Sequence, residues 1–502
     1  MSASAPLESL VPNDVLPAGD LPPLRYRDLP APIPLRKMVG PSVMLAGLAL
    51  GSGEYMFWPY ITFKSGFTFF WACIVGVLTQ YFVNMEITRW ALATGESAVT
   101  GFSRLSKHWA GVFLFLNVIP WMIPAWAVGT AQQISWIVWG GELNATGDLV
   151  SPYVTELTIA TLVLCGIALT AGPVVYDTVE KTQLVLVTFI LVVVVVLGAA
   201  LIRYDAVTAL VNSTIALKIP DLEATGLTAS MLLGAIAFAG AGGTMNLGQS
   251  NFVKEKGYGM GQYIGRMTSP ITGKDEAVSE IGYHFPATPE NLARWQVWWR
   301  RANVEHFFAF LCTCFICLFS LALISYSVFY QPDGTLRPDA GKYQKDMAFL
   351  VGEAGAIEAA LGPIMRLLFL VMGAAILFTT EIGVLDAASR ISTDIIKVNW
   401  LRENARWSEG RIYFVVLWIT IALASAIAIV GPGVMQEKLS FFKLTASLNG
   451  MVMFLYSGLL LYMNLFRLPK PIRISPFRAV VLVWSVAFFG FFAAWTAWTT
   501  LR

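Results

Sequence analysis

The chain has 502 residues, of which 56% are hydrophobic and only 13% charged, with a formal net charge of +2. Soluble domains carry about 25% charged residues, so this composition excludes a soluble globular protein and indicates an all-α polytopic membrane protein. Five cysteines, all in apolar runs, give no disulfide framework, and nothing in the charge pattern implies nucleic acid as a partner.

Residues 1–38 are proline-rich, carry scattered charges and lack the continuous apolar stretch of a signal peptide. They are expected to form a disordered cytoplasmic tail that ends at Arg36-Lys37, beside the first membrane entry. A transmembrane domain is expected over 39–502. Runs long enough to cross a bilayer, about 20 residues each, fall at 39–63, 67–94, 110–139, 154–172, 181–202 and 228–250. Five more fall at 303–330, 362–385, 411–431, 441–465 and 478–500. That predicts about eleven spans. Pro120 and Pro124 are placed to split the third, and the eighth continues as helix towards Lys397.

Lysines and arginines set the orientation. They concentrate before span one and in alternate loops, including the long loop at about 251–302. This pattern puts the N-terminus in the cytoplasm and the C-terminus outside, in a plasma (inner) membrane. Within that loop, the Trp295 to Arg301 stretch reads as an interfacial helix leading into span seven, or as aromatic-belt residues at the start of the span. Weak internal symmetry relates about 39–202 to about 228–465, with 478–500 left as an extra helix.

Two spans are broken in their middles by glycine. The first break is Gly51-Ser52-Gly53-Glu54, and the second runs from Gly240 through Gly242, Gly243, Thr244 and Met245 to Asn246. Inside lipid every backbone polar group must be paired, so unwound backbone survives only where protein or a water-filled cavity surrounds it. Paired broken helices in corresponding halves of a chain point to the binding site of a secondary transporter.

The residues around these breaks resemble the Nramp divalent-metal transporters. Gly40-Pro41 leads to Gly51-Ser52-Gly53-Glu54 at the distance at which that family's Gly-Pro leads to Asp-Pro-Gly-Asn. The match runs on through Phe67, Trp71, Gln80 and Ile87 to Gly95. Gly243 to Leu247 sits where the family writes Met-Pro-His-Asn-Leu. The resemblance implies a LeuT-type 5+5 inverted repeat, with helices 1 and 6 broken and the substrate near the midplane between them. The departures are as informative. Gly51, Ser52 and Glu54 stand in place of the family's metal-binding aspartate, its proline and its asparagine. Gly243 and Met245 replace its methionine and histidine, and Gly129 and Gln132 replace the two acids of its proton path on span three.

Glu54 is the leading site residue, because an acid at helix centre costs about 2.5 kcal/mol or more and normally faces an interior pathway. A purely structural role, capping the free amides of the broken helix, is its alternative. Gly51, Ser52, Gly53, Gly242 and Gly243 allow close backbone approach to a ligand, or else close helix packing. Thr244, Met245 and Asn246 complete the second break. On span eight, Glu381 is placed to complete a cation site or to carry a coupling proton, whereas Asp386 reads equally as the partner of Arg390. Asn449 is a weaker candidate.

No zinc helix, phosphate loop or activated nucleophile is present, so no enzyme activity and no cofactor are expected. The expected function is secondary transport of a divalent cation, with Glu54 and Asn246 as metal ligands. A hard ion such as Mg²⁺ or Mn²⁺ is favoured, since the soft thioether is missing. The alternative is a LeuT-fold carrier of an amino acid or another small organic solute. In that case Glu54 would take an ammonium group and the glycine amides a carboxylate.

Overall fold

The computed structural model describes the chain except residues 1–8, 145–146, 269, 271–278, 280, 346, 432–438 and 502. Among the described residues, nine helices are long and apolar enough to cross a membrane. Two further spans are interrupted. Span 1 divides into half-helix 1a, Pro41–Ala49, and half-helix 1b, which starts as a wide turn over Gly53–Phe57 and continues as Trp58–Ser65. Span 6 divides into 6a, Ala229–Ala237, and 6b, Met245–Glu255. Together these make the eleven spans that the apolar runs predict.

Span 2 is Phe70–Thr94, span 4 Val154–Ala171 and span 5 Val175–Leu201. Span 3 breaks between His108–Trp121 and Ala125–Trp139, where Pro124 has no amide hydrogen to continue the ladder. Span 8, Pro363–Trp400, runs unbroken for 38 residues, past Lys397 as expected. Spans 9, 10 and 11 are Glu409–Val430, Leu439–Tyr462 and Pro476–Leu501. Small residues let the helices approach closely, as where Gly234 of 6a faces Ala446 of span 10.

One expectation needs correction. Residues 9–38 are not a disordered tail. Val11, Leu16, Leu24 and Leu29 are buried, and Arg25–Tyr26 pairs in parallel with Tyr283–His284. The carbonyls of this segment are then used by donors from the bundle. Arg104, itself ion-paired to Glu96, reaches Ala18 and Pro22. Arg294, Trp298 and Arg301 reach Leu29, Pro30, and Pro32 with Ile33. Proline breaks regular structure but leaves its carbonyl available, and a facing row of arginines and indoles makes that a binding strip.

The Trp295 region is helical and leads into span 7. It belongs to one continuous helix, Pro289–His306, that carries on as Thr313–Phe329 to form span 7. Trp298 is buried under the amino-terminal segment, where its indole donates to the Pro30 carbonyl at 2.9 Å.

Arg104, Arg294 and Arg301, assigned to one side by sequence, meet the amino-terminal segment at one end of the bundle, called the basic face below. There His284 is buried against the Ala93 carbonyl, 3.0 Å away, and burial holds its imidazole down to about 4.

Candidate functional site

The two breaks face each other. A Cβ at Gly53 would collide with the Phe238 carbonyl oxygen, the last residue before the second break unwinds. Only glycine permits this backbone-on-backbone contact. A Cβ at Gly51 would lie 2.7 Å from the Thr380 hydroxyl of span 8. That hydroxyl is 3.0 Å from the Leu50 carbonyl, which the break frees from its helix.

Glu54 closes the first break locally. Its Oε2 accepts the Gly51 amide at 3.1 Å, the reach of an N3 acid back to the N-cap amide in a capping box. Its Oε1 is buried without a partner, as is the Ser52 hydroxyl. Glu54 is fully buried, and the thiols of Cys73, Cys314 and Cys317 lie within reach of its charge.

The second break is held from a distance. Gly242 and Gly243 adopt φ of 72° and 54°, a left-handed pair that turns the chain before 6b. Gln80 of span 2 is the fastener. Its Oε1 accepts Gly242 N–H at 3.2 Å and Asn246 Nδ2 at 3.3 Å, while its Nε2 donates to the Ala237 carbonyl at 2.9 Å. Asn246 also donates to Tyr456 at 2.9 Å, which leaves only its Oδ1 unpartnered. Thr244 donates to Asn117 at 2.8 Å and accepts from the Trp121 indole at 2.6 Å. Met245 is buried, and Gly243 packs against the Asn449 side chain.

Between the breaks lies a small cavity, about 10 Å³ as space open to the centre of a water molecule. That is room for about one water. Ser52, Gly53 and Thr380 line it together with Trp121, Trp126 and Phe238. The two indole centroids are 5.4 Å apart, and Phe238 lies 5.6 Å from Trp126. Of the residues singled out in the sequence, Ser52, Gly53 and Gly240 line this cavity. Gly51, Glu54, Gly242, Gly243, Thr244, Met245 and Asn246 form the surrounding backbone turns and their fastenings. Glu381 lies elsewhere, where its Oε2 accepts the Ala127 amide at 3.2 Å and caps the restarted half of span 3. Asp386 pairs with Arg390 at 2.8 Å and accepts from Tyr413. Among the described residues no group of three or more His, Cys, Asp or Glu side chains is arranged to hold a metal ion.

Trp121, Trp126, Phe238 and Asn117 escape the sequence reading. The two tryptophans flank the proline-split turn of span 3, and a helix interrupted between two indoles is the signal that marks them.

No protein-family model matches the chain, and no curated protein does. Solved structures do. One is a histidine-to-alanine variant of the manganese transporter of Eremococcus coleocola. It superposes with a TM-score of 0.62 at 12% identity, over 93% of this chain and 88% of that one. The same transporter in complex with an aromatic bis-isothiourea substituted compound gives a TM-score of 0.60, also at 12% identity, over 97% and 90%. The chain therefore has the LeuT-type transporter fold that its sequence resemblance implies, across nearly its whole length. It is a multi-pass membrane protein.

Proposed function

We propose that this protein is a secondary transporter that moves a divalent metal cation through the space between the two breaks, with hard ions such as Mg²⁺ or Mn²⁺ preferred. The observation that carries this reading is the buried, unpartnered Oε1 of Glu54, beside the equally unpartnered Ser52 hydroxyl at the first break. An acid held by one oxygen and free at the other supplies a cation with charge. The hydroxyl, the freed backbone carbonyls and retained waters complete an oxygen shell of the kind hard cations take. The Asn246 oxygen completes the ligand set on the other break. The fold shared with a manganese transporter supports the same class of cargo. The basic face belongs in the cytoplasm on this reading, with the C-terminus outside.

A second reading has its own observation. The cavity is walled by Trp121, Trp126 and Phe238, and aromatic faces attract organic ammonium groups. An amino acid or related organic cation would then replace the metal.

Liposome flux separates the two. Wild-type protein should take up Mn²⁺, with Mg²⁺ competing better than Cd²⁺, and Glu54→Gln should abolish uptake. If no metal moves, but an amino acid drives transport that Glu54→Gln eliminates, the cation reading is wrong and the organic-solute reading replaces it.

A further inference from the structure

The basic-face end of half-helix 1a carries a polar cluster that the cavity does not use. Glu305 and His306 end the Pro289–His306 stretch of span 7 and are 6% and 0% exposed. Glu305 Oε1 accepts the Ser42 amide at 3.1 Å, and its Oε2 is hydrogen-bonded to the Ser42 hydroxyl. The same hydroxyl lies 2.8 Å from His306 Nδ1 and receives Gln249 Nε2 of 6b at 3.5 Å. His306 Nε2 is buried with no partner. Half-helices 1a and 6b and span 7 thus meet on one serine oxygen.

A hydroxyl has one hydrogen, so Ser42 donates either to Glu305 or to His306. With Glu305 ionised, Ser42 donates to the carboxylate and accepts from His306 Nδ1–H and from Gln249. Every contact is then satisfied. A further proton enters at the vacant imidazole nitrogen, His306 Nε2. As that N–H bond forms, the Nδ1 proton passes to Ser42 Oγ and the original Ser42 hydrogen passes to Glu305. The products are a neutral carboxylic acid, an intact serine and a neutral imidazole protonated on Nε2. One proton has been bound and no other group is consumed.

We propose that Glu305, Ser42 and His306 form a one-proton relay that sets how firmly half-helix 1a is held to span 7. The ionised carboxylate makes a charge-assisted bond to the Ser42 amide and sits at the positive end of 1a. Protonation weakens both, so the proton loosens 1a at the basic face. The neighbours that share this field come from every side. Lys256, paired to Glu180 at 2.7 Å, and the Tyr176 and Tyr258 hydroxyls face Glu305 from span 5 and from the segment after 6b. Tyr81 of span 2 stacks on His306 at 5.4 Å, and Arg478 of span 11 adds positive charge near the ring. Span 3 has Gly129 and Gln132 where its acids would stand, so this cluster gives the chain a proton site of its own.

The coupling of this relay to transport rests on the transporter reading; the relay itself does not. In infrared difference spectra of the full-length protein between high and low pH, a protonated-carboxyl band is expected that Glu305→Gln lacks and Ser42→Ala shifts. In liposomes, wild-type Mn²⁺ uptake should change by about tenfold per pH unit over part of the range, the limit for one proton. Uptake by Glu305→Gln should persist without that dependence. His306→Gln keeps a donor for Ser42 but takes no proton, and its pH profile should flatten as well. An unchanged carboxyl band in Glu305→Gln, or wild-type pH profiles in both Ser42→Ala and His306→Gln, would overturn the relay. If no solute is transported, the transporter reading fails, and the infrared bands still decide this one.

Discussion

The two breaks solve one problem in opposite ways. In the break of span 1 the free amide is taken from within, by Glu54 reaching back three residues to Gly51, and Thr380 of span 8 takes the freed Leu50 carbonyl. The break in span 6 is closed from outside, by Gln80 of span 2 and by the Thr244–Asn117 and Trp121 contacts of span 3. Local closure uses an acid and leaves one of its oxygens free. Remote closure uses neutral groups, with Gln80 reaching the backbone at Gly242 and Ala237 and the remaining bonds joining side chains. On the proposed cation reading, charge therefore comes from the first break, whereas the second contributes the neutral Asn246 oxygen and shape, chiefly the Phe238 carbonyl and ring. A region fastened from its neighbours is also the one whose loss is felt most widely.

The largest effect should follow from Gln80→Leu. It strands the Gly242 amide, one Asn246 hydrogen and the Ala237 carbonyl in a buried place, at about 1–3 kcal/mol per unsatisfied group. Thermal unfolding in detergent should show a loss of about 3 kcal/mol or more. A melting temperature close to wild type would mean that the second break does not depend on its remote fastener. Gly53→Ala should come next. Its methyl group meets the Phe238 carbonyl, a backbone atom with little freedom, and overpacking of this kind costs about 1–3 kcal/mol. Glu54→Gln should sit below both. The amide oxygen still accepts from Gly51 and a buried charge is removed, so stability should hold or rise while the proposed transport is lost. Equal destabilisation by Glu54→Gln and Gln80→Leu would erase the distinction between the two breaks.

Much of this contrast is written in the sequence. Glycine pairs in long apolar runs locate both breaks, and Pro120 and Pro124 locate the split in span 3, because backbone rules act on neighbouring residues. The capping geometry of Glu54 is legible too, since an acid three residues into a helix restart has a nearby amide to reach. What stays hidden is remote. Gln80 lies 162 residues before Gly242, and nothing local shows that its amide faces that turn. Glu381 illustrates the converse: an acid in an apolar run looks like a ligand, but its partner is the Ala127 amide across the bundle. The strip over residues 9–38 is missed for the same reason, because its carbonyls are claimed by arginines and indoles far along the chain.

The smallest effect concerns an acid that belongs with the first break. Glu353 lies on Ala348–Leu361, the helix that connects spans 7 and 8, and is 1% exposed with no hydrogen-bond or ion-pair partner among the described residues. Its charge reaches Tyr55, the residue after Glu54, and Phe349 of the same helix packs on Tyr60 of 1b at 5.3 Å. Burial pushes the Glu353 carboxyl from 4.5 up to about 8. The fold therefore holds a proton that the unfolded chain releases near 4.5. Its stabilising contribution is complete below that value and is lost as pH rises through about 8, by at most about 1.4 kcal/mol per pH unit. Glu353→Gln keeps the shape and removes the titration, so it should melt above wild type at pH 9 and converge with it near pH 4. The comparison is between melting temperatures of the two proteins across that range. A constant difference at every pH would mean that Glu353 is ionised in the fold, and that half-helix 1b stands beside a charge it must accommodate.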